Sequence, residues 1–217
     1  MSVISMMLHP ERSDSHRLAT QLADDLIGEG NSVRLSETEA AAIGRPELGC
    51  TLEMLADSVD LAVSIGGDGT MLRTFERVAR QSIPVLGVNV GDLGYLTEFE
   101  ADEAKGAIEA ALNGALPVEE RLMVQSRIER ADGQNDGTWT GLNEAVLEKK
   151  SQGHTVRLEV TIDGSVFATY AGDGLIVSTP TGSTAYNLSA RGSIVAPTHW
   201  SLQLTPVAPH MLFDRSL

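Results

Sequence analysis

Cysteine is almost missing, since Cys50 is the only one in 217 residues. An internal disulfide and a cysteine-rich zinc site are therefore excluded, and the composition fits a reducing, cytoplasmic setting. Positive charge is also scarce, with 16 Lys and Arg against 30 Asp and Glu and a formal net charge of -14. Such a surface repels nucleic acid and anionic lipid, and no basic patch reverses this, so neither is an expected partner. A polyphosphorylated ligand would need local cations or Mg²⁺ to offset the field. No apolar run is long enough to cross a membrane. The apolar stretch from Ser2 to Leu8 has no basic flank and runs at once into His9, Pro10, Glu11 and Arg12, so it reads as a first strand rather than a signal peptide. No internal period points to repeats.

What is present is a globular composition, 42% hydrophobic and 21% charged, in a chain long enough for one large domain or two small ones. The first half alternates strand-like and helix-like runs, as an α/β layered domain does. Leu18, Leu22 and Leu26, with Ala19, Ala23 and Ile27, form an apolar stripe at helical spacing that Gly28 and Gly30 end. Strands are expected at 32–35, 60–65 and 83–89 and a further helix at 102–112 with Gly114 as its stop, while 36–50 reads as a mobile loop. Near Pro117 the chain turns to short alternating segments, and a β domain is expected from there on. Asp132-Gly133 and Asp136-Gly137 mark turns, and Val156 to Ile162, Asp163-Gly164, then Val166 to Tyr170 read as a β-hairpin.

The most informative stretch is Gly66-Gly67-Asp68-Gly69-Thr70, an acid among glycines between an apolar strand and a helix. Glycines there allow left-handed dihedrals and close approach to bare N–H groups, which with a helix N-terminus favour phosphate. Asp68 opposes that field, so it reads as a proton acceptor or a partner for a hydroxyl or metal ion; the plainer alternative is an Asp that caps the helix. The P-loop is absent, because Gly69-Thr70-Met71 offers no lysine, and the spacing of the glycines does not match the dinucleotide fingerprint. Asn143-Glu144 lies in an otherwise apolar stretch, and an amide beside a carboxylate suits ribose hydroxyls, the alternative being a solvated strand end. Ala171-Gly172-Asp173-Gly174 and then Thr179 to Ser189 offer many hydroxyl donors, with Tyr186 as the only aromatic face, as an adenine or nicotinamide site needs; a hydroxyl-rich helix cap is the local alternative.

Taken together these words resemble one family, the ATP- or polyphosphate-dependent NAD kinases: Gly-Gly-Asp-Gly-Thr at 66–70, Asn-Glu at 143–144, Gly-Asp-Gly at 172–174 and Thr-Pro-Thr-Gly-Ser-Thr-Ala-Tyr-Asn-Leu-Ser at 179–189. The first word is shared with diacylglycerol- and sphingosine-type lipid kinases, whereas the last is specific to NAD kinases. The resemblance implies a Rossmann-like α/β domain over 1–116 and a β-rich, sandwich-type NAD-binding domain over 117–217. It also implies a chain that stops short of its relatives and leaves the β domain incomplete; the open strand edges and apolar surface that would follow favour a homo-oligomer. Asp68 would take the proton of the adenosine 2′-hydroxyl as that oxygen attacks the terminal phosphate of ATP, with Mg²⁺ accompanying ATP. Gly69 would lie against the ligand with its backbone, Asn143 and Glu144 would hold ribose hydroxyls, and Asp173 would bind the dinucleotide. Thr184, Ala185, Tyr186, Asn187, Leu188 and Ser189 would belong to the adenine and ribose pocket, and Arg73 and His154 would contact the dinucleotide. Rival readings are a lipid kinase, which leaves Asn143-Glu144 and 184–189 unexplained, and a non-catalytic NAD(P)-binding protein. Arg191 departs from the family pattern, where glycine is common.

Overall fold

The computed structural model describes residues 1–91, 94–151 and 153–210. The chain divides into two compact units, Met1–Val118 and Glu119–Leu217. In the first, β-branched and other apolar runs form the strands β1 (Val3–Leu8), β2 (Ser32–Ser36), β3 (Gly49–Cys50), β4 (Leu61–Gly66), β5 (Val85–Asn89) and β6 (Phe99–Glu100). All are parallel and form one 6-stranded sheet in the order β3-β2-β1-β4-β5-β6. Both faces of β4 are buried, as a central parallel strand requires. The order reverses between β1 and β4. In open α/β sheets that reversal opens a crevice beyond the carboxyl ends of the strands, where ligands bind.

The helices are α1 (Ser13–Gly28), α2 (Glu37–Ala42), α3 (Asp68–Val78) and α4 (Ala104–Leu112). The stripe read along α1 is the buried one, since Ala19, Leu22, Ala23 and Leu26 pack on Ile4, Met6, Val63 and Ile65. Each such fully buried aliphatic side chain contributes roughly 1.5–3 kcal/mol. Val78 of α3 packs in a second cluster with Met7, Ala62 and Ile83, so alternate residues of β1 and β4 serve opposite sheet faces. Gly114 stops α4 with a φ of 68, its N–H donating to the Ala111 carbonyl.

The mobile loop expected after β2 is not found. Residues 36–50 contain α2, a 3₁₀ turn at Pro46–Leu48 and β3 instead of a mobile loop. Ser36 caps α2 through Glu39 N, and the Glu39 carboxylate returns to Ser36 N, which completes a capping box. Glu39 also accepts from Leu8 N at 2.9 Å and so ties the helix to the end of β1.

In the second unit β9 (Glu144–Glu148), β12 (Gly174–Ser178) and β13 (Gln203–Val207) form an antiparallel sheet in the order β13-β12-β9. Two hairpins accompany it, β7 (Val124–Glu129) with β8 (Asn135–Gly141) and β10 (Val156–Ile162) with β11 (Ser165–Gly172). The β10–β11 hairpin is the one read from the sequence. Its turn residues Asp163 and Gly164 have φ of 48 and 78, the doubly left-handed conformation of a type I′ turn. Asp136-Gly137, by contrast, lies within β8 beside a register shift rather than at a turn. The unit is β-rich as expected, and its strands form separate small sheets. Nothing in the described residues supports the expected incompleteness, and residues 211–217 of the tail on which it rested lie outside them.

Candidate functional site

The glycine turn sits at the carboxyl end of β4, on the sheet's reversal point, and Gly67 caps α3 so that Asp68 is its first residue. Contrary to the expectation of left-handed dihedrals, Gly66, Gly67 and Gly69 do not have positive φ. The glycines serve approach instead. A Cβ on Gly66 would lie 2.4 Å from Thr70 Oγ1, whereas Gly67 and Gly69 face open space and leave their backbone bare. Asp68 does not cap α3. Its carboxylate accepts from Tyr95 N at 3.0 Å and Leu96 N at 2.9 Å, amides of the segment after β5. Gly94 permits that approach, because a Cβ there would lie 2.2 Å from Asp68 Oδ1.

Beside the turn is a cleft of about 420 Å³ lined by His9, Arg12, Gly67, Gly69, Thr70 and Arg73, among others. Arg12 and Arg73 supply the local positive field that the acidic chain needs for a phosphorylated ligand. Arg73 is held in place by donating to the Leu8 carbonyl at 3.1 Å, and Arg12 by donating to the Val90 carbonyl at 2.8 Å. His9, Arg12 and the 94–96 segment carried no recognised motif. The glycine pair Gly91 and Gly94 after a buried strand was the signal available.

In the second unit Glu144 opens β9 half-buried, and its Oε2 is buried with no hydrogen-bond partner. Burial pushes its carboxyl above the usual range. A solvated strand end is thereby excluded for Glu144, and an unsatisfied buried acceptor calls for a donor such as a ligand hydroxyl. Asn143 precedes it, its carbonyl accepting from Thr179 N at 2.8 Å. Gly182 packs on that carbonyl so closely that a Cβ would come within 2.0 Å.

Asp173 lies between β11 and β12, flanked by glycines whose Cβ atoms would meet the Val207 and Leu147 carbonyls at 2.8 and 2.4 Å. Its carboxylate pairs with Lys149 Nζ at 2.5 Å, and Tyr186 donates its hydroxyl to Glu148 Oε1 at 3.0 Å. The Glu148 bond is the main reason the Tyr186 hydroxyl titrates above its usual range, with Asp173 and Glu144 adding to it through charge. Asn143-Glu144, Asp173 and Tyr186 thus belong to one neighbourhood. Lys149 and Glu148 were missed because nothing in their spacing distinguishes them from solvated charges.

The word at 179–189 is largely scaffold. Thr179 Oγ1 donates to the Leu142 carbonyl, and Ser183 Oγ donates to the Val195 carbonyl and accepts from Val195 N. Those hydroxyls are spent internally. Thr184, Tyr186, Leu188 and Ser189 are exposed on the turn and on α5 (Tyr186–Ser189), and Ala185 is half-buried. Asn187 points inward, fully buried, donating to Gln203 Oε1 at 2.9 Å and accepting from Thr205 Oγ1 at 2.6 Å. Its side chain is therefore structural. Asn187→Ala is expected to lower unfolding free energy by roughly 1–3 kcal/mol in a thermal melt, leaving ligand affinity of the folded fraction intact. His154 is exposed in the coil before β10.

A helix-opening turn with a bare backbone, beside a cleft that carries Arg12 and Arg73 on a doubly wound sheet, has the features of a nucleotide phosphate site. The chain matches the model of the ATP-NAD kinase N-terminal domain over residues 13–116 and that of the ATP-NAD kinase C-terminal domain over 142–217. It is 37% identical over 217 residues to an NAD kinase of Symbiobacterium thermophilum, covering 100% of this chain and 76% of that one. With an NAD kinase of Moorella thermoacetica the identity is 41%, over 100% of this chain and 69% of the relative. The crystal structure of yeast NADH kinase complexed with NADH superposes with a TM-score of 0.92 at 26% identity, over 100% of this chain and 69% of that chain. An NAD kinase from Archaeoglobus fulgidus in complex with ATP shares the fold, with a TM-score of 0.74 at 24% identity over 100% of this chain and 76% of that one. The chain belongs to the NAD kinase family.

Proposed function

We propose that Asp68 is the general base of an ATP-dependent NAD kinase that phosphorylates the adenosine 2′-hydroxyl of NAD to give NADP. The observation that supports this most is the state of the Asp68 carboxylate, which is held by Tyr95 N and Leu96 N instead of capping its helix. Two amide bonds fix its direction and leave further lone pairs on both oxygens for a hydroxyl proton. That proton moves to Asp68 as the ribose oxygen bonds to the γ-phosphorus. The bond from that phosphorus to the bridging oxygen breaks, and ADP leaves. Such transfers depend on positioning and charge neutralisation more than on covalent help.

On this reading Arg12, Arg73 and the bare amides at Gly67 and Gly69 take the triphosphate. Mg²⁺ arrives on ATP as part of the substrate. Glu144 and Asn143 take ribose hydroxyls, Tyr186 stacks, and Asp173 accepts from the dinucleotide while Lys149 holds it in place. Thr184, Ala185, Leu188 and Ser189 line the same pocket, and His154 stands at its margin. The β-rich unit from 117 onward is the dinucleotide-binding one and the α/β unit the catalytic one. A cytoplasmic setting belongs to this reading, and among the described residues no helix is long and apolar enough to cross a membrane. Self-association belongs to this reading too, and light scattering would read it directly.

Glu144→Gln tests the ribose role with two opposed signs. NAD binding should weaken by roughly 1–3 kcal/mol in calorimetry, as should that of Tyr186→Ala. Stability of the empty protein should rise. A carboxyl whose folded pKa is raised contributes stability that is full below its unfolded pKa and lost as pH rises through the folded one. At neutral pH Glu144 therefore burdens the fold, and the glutamine removes both that burden and its pH dependence. Unchanged NAD affinity in both variants would place the pocket elsewhere.

A further inference from the structure

Gly87 lies midway along β5, and a Cβ there would lie 3.1 Å from the Thr97 Cα and 3.2 Å from the Leu96 carbonyl oxygen. The glycine lets the later segment lie against the strand, where Glu98 N donates to the Gly87 carbonyl at 3.3 Å. This is the segment whose Tyr95 and Leu96 amides hold the Asp68 carboxylate. Whatever fixes it therefore aims Asp68.

Two side chains at this contact each keep a polar atom unspent. Thr97 is 7% exposed and Asn89, two residues after Gly87 on β5, is 4% exposed, and both Thr97 Oγ1 and Asn89 Oδ1 are buried with no hydrogen-bond partner. The Asn89 amide cannot be turned over, because its Nδ2 donates to Glu100 Oε1 at 3.2 Å and an ionised carboxylate takes only a donor. Its oxygen is the atom left over. Side chains two apart on a strand share a face, so Asn89 points to the side of β5 on which Thr97 rests. Two residues advance roughly 7 Å along a strand, and two hydrogen bonds through one water span about 5.6 Å. A hydroxyl proton at one end and an amide oxygen at the other suit a buried water, and the Leu96 carbonyl against the same glycine can take its second proton.

We propose that Thr97 and Asn89 hold one ordered water between them and that this link keeps the Asp68 carboxylate aimed. Both are positioning residues, since neither touches the reacting atoms. The proposal rests on reading Asp68 as the general base. Its consequence is that turnover depends on the hydroxyl of Thr97 and not on its bulk.

The test is steady-state kinetics of the full chain with Mg²⁺-ATP and NAD, on the wild type, Thr97→Val, Thr97→Ser, Asn89→Leu and the double variant of Thr97→Val with Asn89→Leu. Valine keeps the shape that packs on Gly87 and removes the hydroxyl, whereas serine keeps the hydroxyl and removes the methyl. Thr97→Val should lose about tenfold or more in kcat with the KM for NAD and the melting temperature little changed, and Thr97→Ser should keep most of the turnover. The double variant should be no slower than the slower of its two singles, because each breaks the same link. Wild-type kcat in Thr97→Val, a Thr97→Ser as slow as Thr97→Val, or losses that add in the double variant would each overturn the proposal. Failure of the Asp68 reading has its own signature. Asp68→Asn would then keep turnover within tenfold of the wild type and the proposal would fall with that reading, whereas an inactive Asp68→Asn beside a fully active Thr97→Val would overturn this proposal alone.

Discussion

Asp68→Asn should retain NAD binding and lose about 10²–10⁴-fold in turnover, the usual scale for removing a general base. The amide is nearly isosteric with the carboxylate, so α3 and the turn keep their shape. It has only one acceptor oxygen, however, where the carboxylate offers one to Tyr95 N and the other to Leu96 N. The variant therefore loses the proton acceptor and one of the two bonds that aim it. The second loss should appear as a small drop in stability, on the order of 1 kcal/mol. Steady-state kinetics with calorimetry on the same sample separates the effects. Turnover within tenfold of the wild type would remove Asp68 from the base role.

Gly94→Ala should lower kcat by about 10²-fold, since misplacing a reacting group by around 1 Å is enough for such a loss. The new Cβ would lie 2.2 Å from Asp68 Oδ1 and 2.8 Å from its Cγ, so the carboxylate must move. A side-chain carboxylate yields more readily than backbone, so the cost should fall on catalysis rather than folding. Melting temperature and the KM for NAD should change little. A stability loss of several kcal/mol with normal kcat per folded molecule would instead make Gly94 a packing residue.

The legible parts of the chain were those where one short segment carries its own instruction. Asp163-Gly164 between alternating apolar runs set the β10–β11 turn, and the Leu18, Leu22, Leu26 stripe marked the face of α1 toward the sheet. α2 was missed because its six residues are short and small, and its signal is the Ser36 and Glu39 capping pair rather than an apolar period. At the site the words were visible but their division of labour was not. Asn187 and Tyr186 are neighbours in the sequence, yet one is fully buried in a hydrogen-bond network and the other is exposed. Nothing local predicts which way each side chain turns.

Partners distant in sequence were illegible for a related reason. Asp68 meets Tyr95 and Leu96, and Asp173 meets Lys149, only once the strands have set their register. The glycines show the same limit. Gly66 and Gly94 are required by what approaches them, Thr70 Oγ1 and the Asp68 carboxylate, and not by left-handed backbone.

The most direct test of the account is product formation by the wild-type chain given Mg²⁺-ATP with NAD in one reaction and diacylglycerol in another, read by an NADP-specific dehydrogenase and by lipid chromatography. NADP should form and the lipid should remain unphosphorylated. Phosphorylated lipid without NADP, or NAD binding with no NADP at all, would contradict the assignment of Asp68 and the 143–189 residues to one reaction.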